Sequence, residues 1–301
     1  MEWLERVAKL RRWTRDGERD PHKALLLLYA IGQLQRTGYQ PIRYRDAETA
    51  LDQLFAEFGP PKLAGPAYPF HHLASDGLWE VATSRGGQSP GAERELLIAM
   101  DVHGRLTPNF AKEMLADPTL MALIVRVLLD INFEASLHLD LCAVAGLMPE
   151  IAQTASIAKY VDGNLPRAQR DPMTRQRILV AYDCRCAFCG FEGWIGNSVV
   201  GLEVARLRWW AFDGQDDLTN CLCLCTLHHR LFDKGVMGIM PSGKITVSKH
   251  FVGTTDSART LVLDLSGRKA TPPEQGFARP DVRNIDWHTR QVFRGPARVT
   301  A

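Results

Sequence analysis

The chain has 301 residues, 46% of them hydrophobic, a formal net charge of +2 and seven cysteines, an ordinary globular composition with length for two modest domains. Its longest apolar runs, Ala24–Ile31 and the Arg126-interrupted Leu120–Ile131, are too short to span a bilayer, and a start carrying Glu2 and Glu5 is unlike a signal peptide. The expected location is therefore the cytoplasm, with no membrane partner. Charge is unevenly spread: residues 1–155 hold 16 Lys+Arg against 20 Asp+Glu, residues 156–301 hold 20 against 14, and residues 1–45 alone carry ten against five, so both the N-terminal edge and the C-terminal half could lie along a polyanion.

In chain order, Trp3, Val7 and Leu10 with basic residues between them predict an amphipathic helix over 2–14. The polar segment Thr14–Asp20 follows. Asp20 as cap, Pro21 at the first helical position and Gly38 as stop predict a second helix, buried along Leu25–Ile31. A third is expected over 46–58, ended by Gly59-Pro60-Pro61, and Lys62–Tyr68 reads as loop. Trp79-Glu80-Val81 predicts a short strand before a glycine-rich loop at Arg85–Gly91, and a helical pattern runs from Pro108 to Gly146. Asp162–Pro172 reads as a linker. Beyond Met173 come a cysteine-rich turn at Tyr182–Gly190, a strand over Val199–Trp210, a turn at Asp213-Gly214 and a short helix over Thr226–Lys234 after Leu222–Leu224. A hairpin of Val236–Met240 with Ile245–Ser248 follows.

Cys186-Ala187-Phe188-Cys189 and Cys225-Thr226-Leu227-His228 are two ligand pairs, each with two residues between its members. That spacing lets one tight turn present two side chains to a tetrahedral ion, and two such turns close the site. A Zn2+ held this way is structural, because four protein ligands leave no position for water. Cys142, Cys184, Cys221 and Cys223 lack such spacing and are assigned to core packing. His103, His138, His250 and His288 have no motif context and suit satisfied surface or core positions.

Arg185–Gly190, the stretch Gly201–Trp210, Asn220 and Cys225–Asp233 closely resemble HNH endonucleases of the zinc-bearing ββα-metal type. In that family a first-strand histidine is the general base, a loop asparagine orients it, and a helix histidine helps to hold a divalent ion. The resemblance gives Asn220 and His229 the last two roles and puts His228 on the zinc side of the helix. More of the chain is similar to a narrower family, the phosphorothioate-dependent (type IV, modification-dependent) restriction endonucleases. Asp20–Leu28, Phe58-Gly59-Pro60, Tyr68-Pro69-Phe70, Asp76–Val81 and the tail Trp287–Arg298 carry this likeness.

The resemblance implies a sulfur-binding domain over 1–155, a linker over 156–172 and an HNH domain over 173–301, an α+β architecture with a mainly helical first domain. Its partner is phosphorothioate-modified double-stranded DNA, contacted by His22, Lys23, Tyr68, Pro69, Phe70, His72 and Arg85; His71 is a further candidate. Sulfur in place of a phosphate oxygen is larger and less well hydrated, so an apolar surface such as Tyr68 and Pro69 discriminates in its favour. His22 and Lys23, one turn into a helix N-terminus, suit the remaining negative charge.

One departure from the HNH pattern matters. The general-base position is Arg206, 14 residues before Asn220, and a second position where histidine is common is Trp210. Arginine keeps its proton and cannot activate water, and loss of a general base costs roughly 10²–10⁴-fold in rate. The expectation is a domain that grips DNA, with Arg206 free to hold a phosphate, but hydrolyses it weakly or not at all. The alternative is an active endonuclease using Mg2+ or Mn2+ to cut near phosphorothioate sites; a zinc-stapled interaction protein without nucleic acid is the third reading. Double-strand cutting often takes a homodimer, though no dimer surface is identifiable in the sequence.

Overall fold

The computed structural model describes residues 2–10, 18, 20–61, 65–148 and 172–299. The chain forms two compact units, Met1–Arg167 and Ala168–Ala301, with an α+β make-up of helices and small antiparallel sheets. The segment Thr14–Asp20, apart from Glu18 and Asp20, and the expected linker as far as Asp171 lie outside the described residues. So do Lys62–Ala64 and four of the ten basic residues of the N-terminal edge: Arg11, Arg12, Arg15 and Arg19. Among the described residues, no helix is long and apolar enough to cross a membrane.

The first unit is built around α2 (His22–Thr37), whose Leu25, Leu26, Leu27, Leu28 and Ile31 are all fully buried. A helix apolar nearly all round must be enclosed, and α1 (Glu2–Ala8), α3 (Tyr44–Phe58), α4 (Ala67–His72), α6 (Pro108–Ala116), α7 (Pro118–Asp130) and α8 (His138–Ala145) supply the rest of the unit's helical core. Asp117 caps α7 by accepting from the backbone N–H groups of Thr119 at 2.9 Å and Leu120 at 3.2 Å, with Pro118 at the first helical position. Helix α2 starts one residue later than expected, with Pro21 at its cap and no side-chain cap bond; the Asp20 carboxylate contacts His22 Nδ1 instead.

A three-stranded antiparallel sheet, β1 (Ile42–Arg43), β3 (Val102–Leu106) and β2 (Trp79–Thr83) in that order, flanks the helices. Gly104 lies opposite Val81, and a Cβ there would sit 2.0 Å from the Trp79 ring, so the strand needs glycine for the indole to lie across it. A short helix α5 (Arg94–Ala99) precedes β3. Two elements replace expected loop or extend an expected helix. Tyr68-Pro69-Phe70 is helical because Phe70 packs edge-on between Tyr44 and Trp79. Helix α3 begins at Tyr44, whose hydroxyl donates to Glu48 Oε1 at 2.9 Å.

The second unit opens with α9 (Pro172–Ala181) and a small hairpin of β4 (Trp194–Ile195) with β5 (Ser198–Val199). Strand β6 (Leu202–Arg206) pairs antiparallel with β7 (Cys221–Cys225), from Leu202 opposite Cys225 to Arg206 opposite Cys221. The strand expected over Val199–Trp210 is thus shorter, because the chain turns at Gly201 (φ 72°) and leaves the ladder after Arg206. Helix α10 (Thr226–Asp233) packs back on both strands, completing strand, loop, strand and helix. A hairpin of β8 (Met237–Ile239) and β9 (Ile245–Val247), then α11 (Asp256–Leu261) and α12 (Val282–Gln291), close the unit.

Candidate functional site

The expected metal ligands converge. Cys186 and Cys189 leave the turn after α9, Cys225 ends β7, and His228 lies in the first turn of α10; their ligand atoms all lie within 4.8 Å of one another. Cys225 Sγ and Cys186 Sγ are 3.1 and 3.5 Å from His228 Nδ1, and Cys189 Sγ is 4.0 Å from Cys225 Sγ. Bonds of about 2.3 Å to sulfur and 2.0 Å to nitrogen at a tetrahedral centre put ligand atoms roughly 3.5–3.8 Å apart, so this Cys3His cluster is compatible with a metal ion such as zinc. His228 is oriented for it: Nε2 lies 2.7 Å from the Leu261 carbonyl oxygen, which accepts a hydrogen bond from Nε2–H and leaves Nδ1 to face the sulfurs with its lone pair. Cys142, Cys221 and Cys223 are buried, and half-buried Cys184 packs against the same core as the last two.

Next to His228 on α10, about 100° round the helix, His229 lies between two carboxylates. Its Nδ1 is 2.6 Å from Glu203 Oε2 on β6, and its Nε2 is 3.1 Å from Asp233 Oδ2 one helical turn on. Burial alone would depress its pKa, but Asp233 and Glu203 outweigh burial and raise it to about 10; the hydrogen bond from His229 in turn holds Glu203 below its usual range.

Arg206 ends β6 only 7% exposed, and its Nε donates to Asp216 Oδ1 at 2.5 Å. It is therefore tied into the loop between the strands, where the sequence suggested a guanidinium free for phosphate. Asn220, expected to orient a histidine, is fully buried and engaged with backbone. Its Oδ1 accepts from Arg208 N at 2.8 Å, and its Nδ2 donates to the carbonyls of Arg208 and Gln215, each at 2.9 Å. Asn220 thus staples the 208–220 loop. Gly214 lets that loop close, since a Cβ there would meet the Arg208 carbonyl oxygen at 1.8 Å. Trp210 opens a one-turn 3-10 helix, Trp210–Phe212, outside the strand. Of the histidines without motif context, His138 and His288 are buried against carbonyls, His250 contacts the Gly295 carbonyl and His103 meets Arg43.

In the first unit, the N-terminus of α2 meets α4. Lys23 Nζ is 2.5 Å from Asp76 Oδ2, and burial, then His71, then Lys23 hold the His72 imidazole below its usual pKa. The Tyr68 ring is 41% exposed and 4.3 Å from the His72 ring. His71 Nδ1 lies 2.7 Å from Ser89 Oγ, tying α4 to the loop after β2 that carries exposed Arg85. Lys23, Tyr68 and His72 are thus brought together. Phe70 and Pro69, expected on the binding surface, are buried instead, because the Phe70 ring completes the core with Tyr44 and Trp79. His22 is the first residue of α2, not one turn in, and packs edge-on against Phe55 with its Nε2 buried and without a hydrogen-bond partner among the described residues. The sequence reading missed Glu203, Asp216, Asp233 and Leu261. Only Asp233, four residues after His229 on one helix, left a local signal.

The antiparallel pair β6–β7, the helix crossing it and the two knuckles closing on one point define a ββα-metal domain, and the helical unit before it is a separate module. Residues 1–150 match the ScoMcrA-like DNA sulfur-binding domain family, and residues 186–240 match the HNH endonuclease family. The chain belongs to the proteins carrying a ScoMcrA-like DNA sulfur-binding domain, here joined to an HNH endonuclease domain. No curated protein matches it. Among solved structures, the sulfur binding domain of ScoMcrA complexed with phosphorothioated DNA is 26% identical over 50% of this chain and 97% of that one, with a TM-score of 0.41. The sulfur binding domain of SprMcrA, also complexed with phosphorothioated DNA, is 22% identical over 48% and 93%, with a TM-score of 0.42. The Type IV phosphorothioation-dependent restriction endonuclease ScoMcrA is 25% identical over 48% of this chain and 28% of its own, with a TM-score of 0.40.

Proposed function

We propose that the chain binds phosphorothioate-modified double-stranded DNA through its first domain and carries an HNH domain that holds DNA but hydrolyses it weakly or not at all. The observation that carries the second half is Arg206, seated at the general-base position and tied to Asp216. A guanidinium with a pKa above about 12 accepts no proton from water, and its fixed charge opposes a second cation nearby. Within the first domain, spanning 1–155 before a linker at 156–172, Tyr68 offers sulfur an apolar face, exposed Arg85 supplies positive charge for the phosphate, and Lys23 adds its own once DNA draws it from Asp76. His72 adjoins Tyr68. His22 contributes through Nε2 once the α2 N-terminus shifts to expose it.

The Cys186, Cys189, Cys225 and His228 cluster holds a structural Zn2+ that fixes α10 on its strands. Asn220 keeps the loop closed rather than orienting a base. The alternative, Mg2+- or Mn2+-dependent cutting near the modified site, is favoured by one feature. His229, beside Glu203 and Asp233, stands at the helix position that the family uses for a divalent ion, which would supply Lewis-acid stabilisation of the scissile phosphate once it displaced the proton those carboxylates hold on the imidazole. The expected setting is cytoplasmic, and a homodimer is needed only under this alternative.

Two variants test the proposal. Lys23→Ala should weaken binding to a phosphorothioate duplex, and unchanged affinity would overturn the DNA-binding role. Arg206→His should raise metal-dependent cutting by about tenfold or more; wild-type cutting already equal to that of the variant would overturn the impaired-nuclease reading.

A further inference from the structure

Beside Tyr68 the first domain has a cleft with a volume of about 350 Å3, lined by Tyr44, Glu48, Asp52, Pro66, Tyr68 and Arg94 among others. That volume is at the lower end of the roughly 300–1,000 Å3 of small-ligand pockets, enough for the edge of one base but not for a length of nucleic-acid backbone. Its polar groups differ in availability. Both Glu48 oxygens are taken, by Arg94 at 2.6 and 2.8 Å and by the Tyr44 hydroxyl at 2.9 Å. The Asp52 carboxylate has no hydrogen-bond or ion-pair partner among the described residues, and burial followed by the charge of Glu48 raises its pKa. The cleft therefore presents one carboxylate, the exposed Asp52, open to a ligand's donor beside an aromatic wall, while Arg94 is engaged by both oxygens of Glu48.

We infer that this cleft is a second recognition site, in which Asp52 accepts a hydrogen bond from the exocyclic amino group of a cytosine or adenine next to the modified linkage. An anion is excluded by the two carboxylates. An amine is the donor those bases present in the major groove, and Tyr68, shared between the cleft and the surface assigned to sulfur, fixes the base within a nucleotide or so of the modified phosphate. This assignment rests on the proposed binding of phosphorothioate DNA. It makes Asp52 a specificity residue, reading base identity where Tyr68 reads sulfur.

The test uses the full chain and fluorescence-anisotropy titrations on duplexes carrying one phosphorothioate. In a matched series, each adenine or cytosine flanking it is replaced by purine or 2-pyrimidinone, which lack only the amine. Wild type should lose about tenfold in affinity at one position when the amine is removed. Asp52→Ala should lose the same on the unaltered duplex and nothing further when the amine goes, with its preference for sulfur over oxygen intact. Equal amine dependence in wild type and Asp52→Ala, or tighter binding by Asp52→Ala to every duplex alike, would overturn the cleft assignment while leaving sulfur recognition standing. Wild type that binds phosphorothioate and ordinary duplexes equally would overturn both.

Discussion

Removing the carboxylate of Asp216 should destabilise the second unit without touching its metal cluster. Arg206 is 7% exposed and Asp216 17% exposed at the side chain, with 2.5 Å between Nε and Oδ1. Breaking a buried ion pair by deleting one partner costs about 3–5 kcal/mol, because the other charge stays desolvated and unpaired. The residual exposure of Asp216 puts Asp216→Ala near the lower end, about 3 kcal/mol. Replacing both residues, as in Arg206→Met with Asp216→Leu, leaves no orphaned charge and should cost much less than the sum of the single changes. Urea unfolding followed through the fluorescence of Trp209, Trp210 and Trp287 reads all four corners of the cycle. A coupling below about 0.5 kcal/mol would mean independent residues and would refute the claim that Arg206 is held by the loop rather than free for DNA.

Three further outcomes follow from the geometry. Cys189→Ser, or chelation, should release one equivalent of zinc, measurable by elemental analysis, and unfold the second unit first, because four ligands from two separated segments meet only through the ion. Tyr68→Ala should reduce the preference for phosphorothioate over ordinary duplex while leaving thermal stability almost unchanged, whereas Phe70→Ala should cost about 3–5 kcal/mol in stability, since its ring is fully buried; calorimetry and binding titrations together separate the two. Gly104→Ala should destabilise the first unit by about 1–3 kcal/mol, because its Cβ would sit 2.0 Å from the Trp79 ring, and an unchanged melting temperature would contradict that packing.

What the sequence made legible was local. The Cys-x-x-Cys and Cys-x-x-His pairs announce a metal cluster because each pair lies in one turn, and helix α2 announces itself through its punctuation and unbroken apolar run. Helix α4 and strand β3 were hidden, since Tyr68-Pro69-Phe70 becomes helical only when Phe70 docks on Trp79, and Val102–Leu106 carries His103, Gly104 and Arg105 at its centre. The same limit applies at the sites. Arg206 could be assigned from the motif, but its partner Asp216 could not, because the ion pair forms only when Asn220 closes the loop. Leu261, which orients His228, lies 33 residues away and contributes only a backbone oxygen, which no residue type encodes. Phe70 shows the converse error: an aromatic within a matching motif reads as a contact residue until its burial is known.

Binding and cleavage by the intact chain on matched duplexes, with and without one phosphorothioate and in the presence of Mg2+ or Mn2+, test the central claim most directly. The account predicts tighter binding to the modified duplex and little or no cutting, with Arg206→His restoring cutting under the same conditions. Efficient sulfur-dependent cutting by the wild-type chain would contradict the assigned role of Arg206, and equal affinity for both duplexes would contradict the assigned role of the first domain.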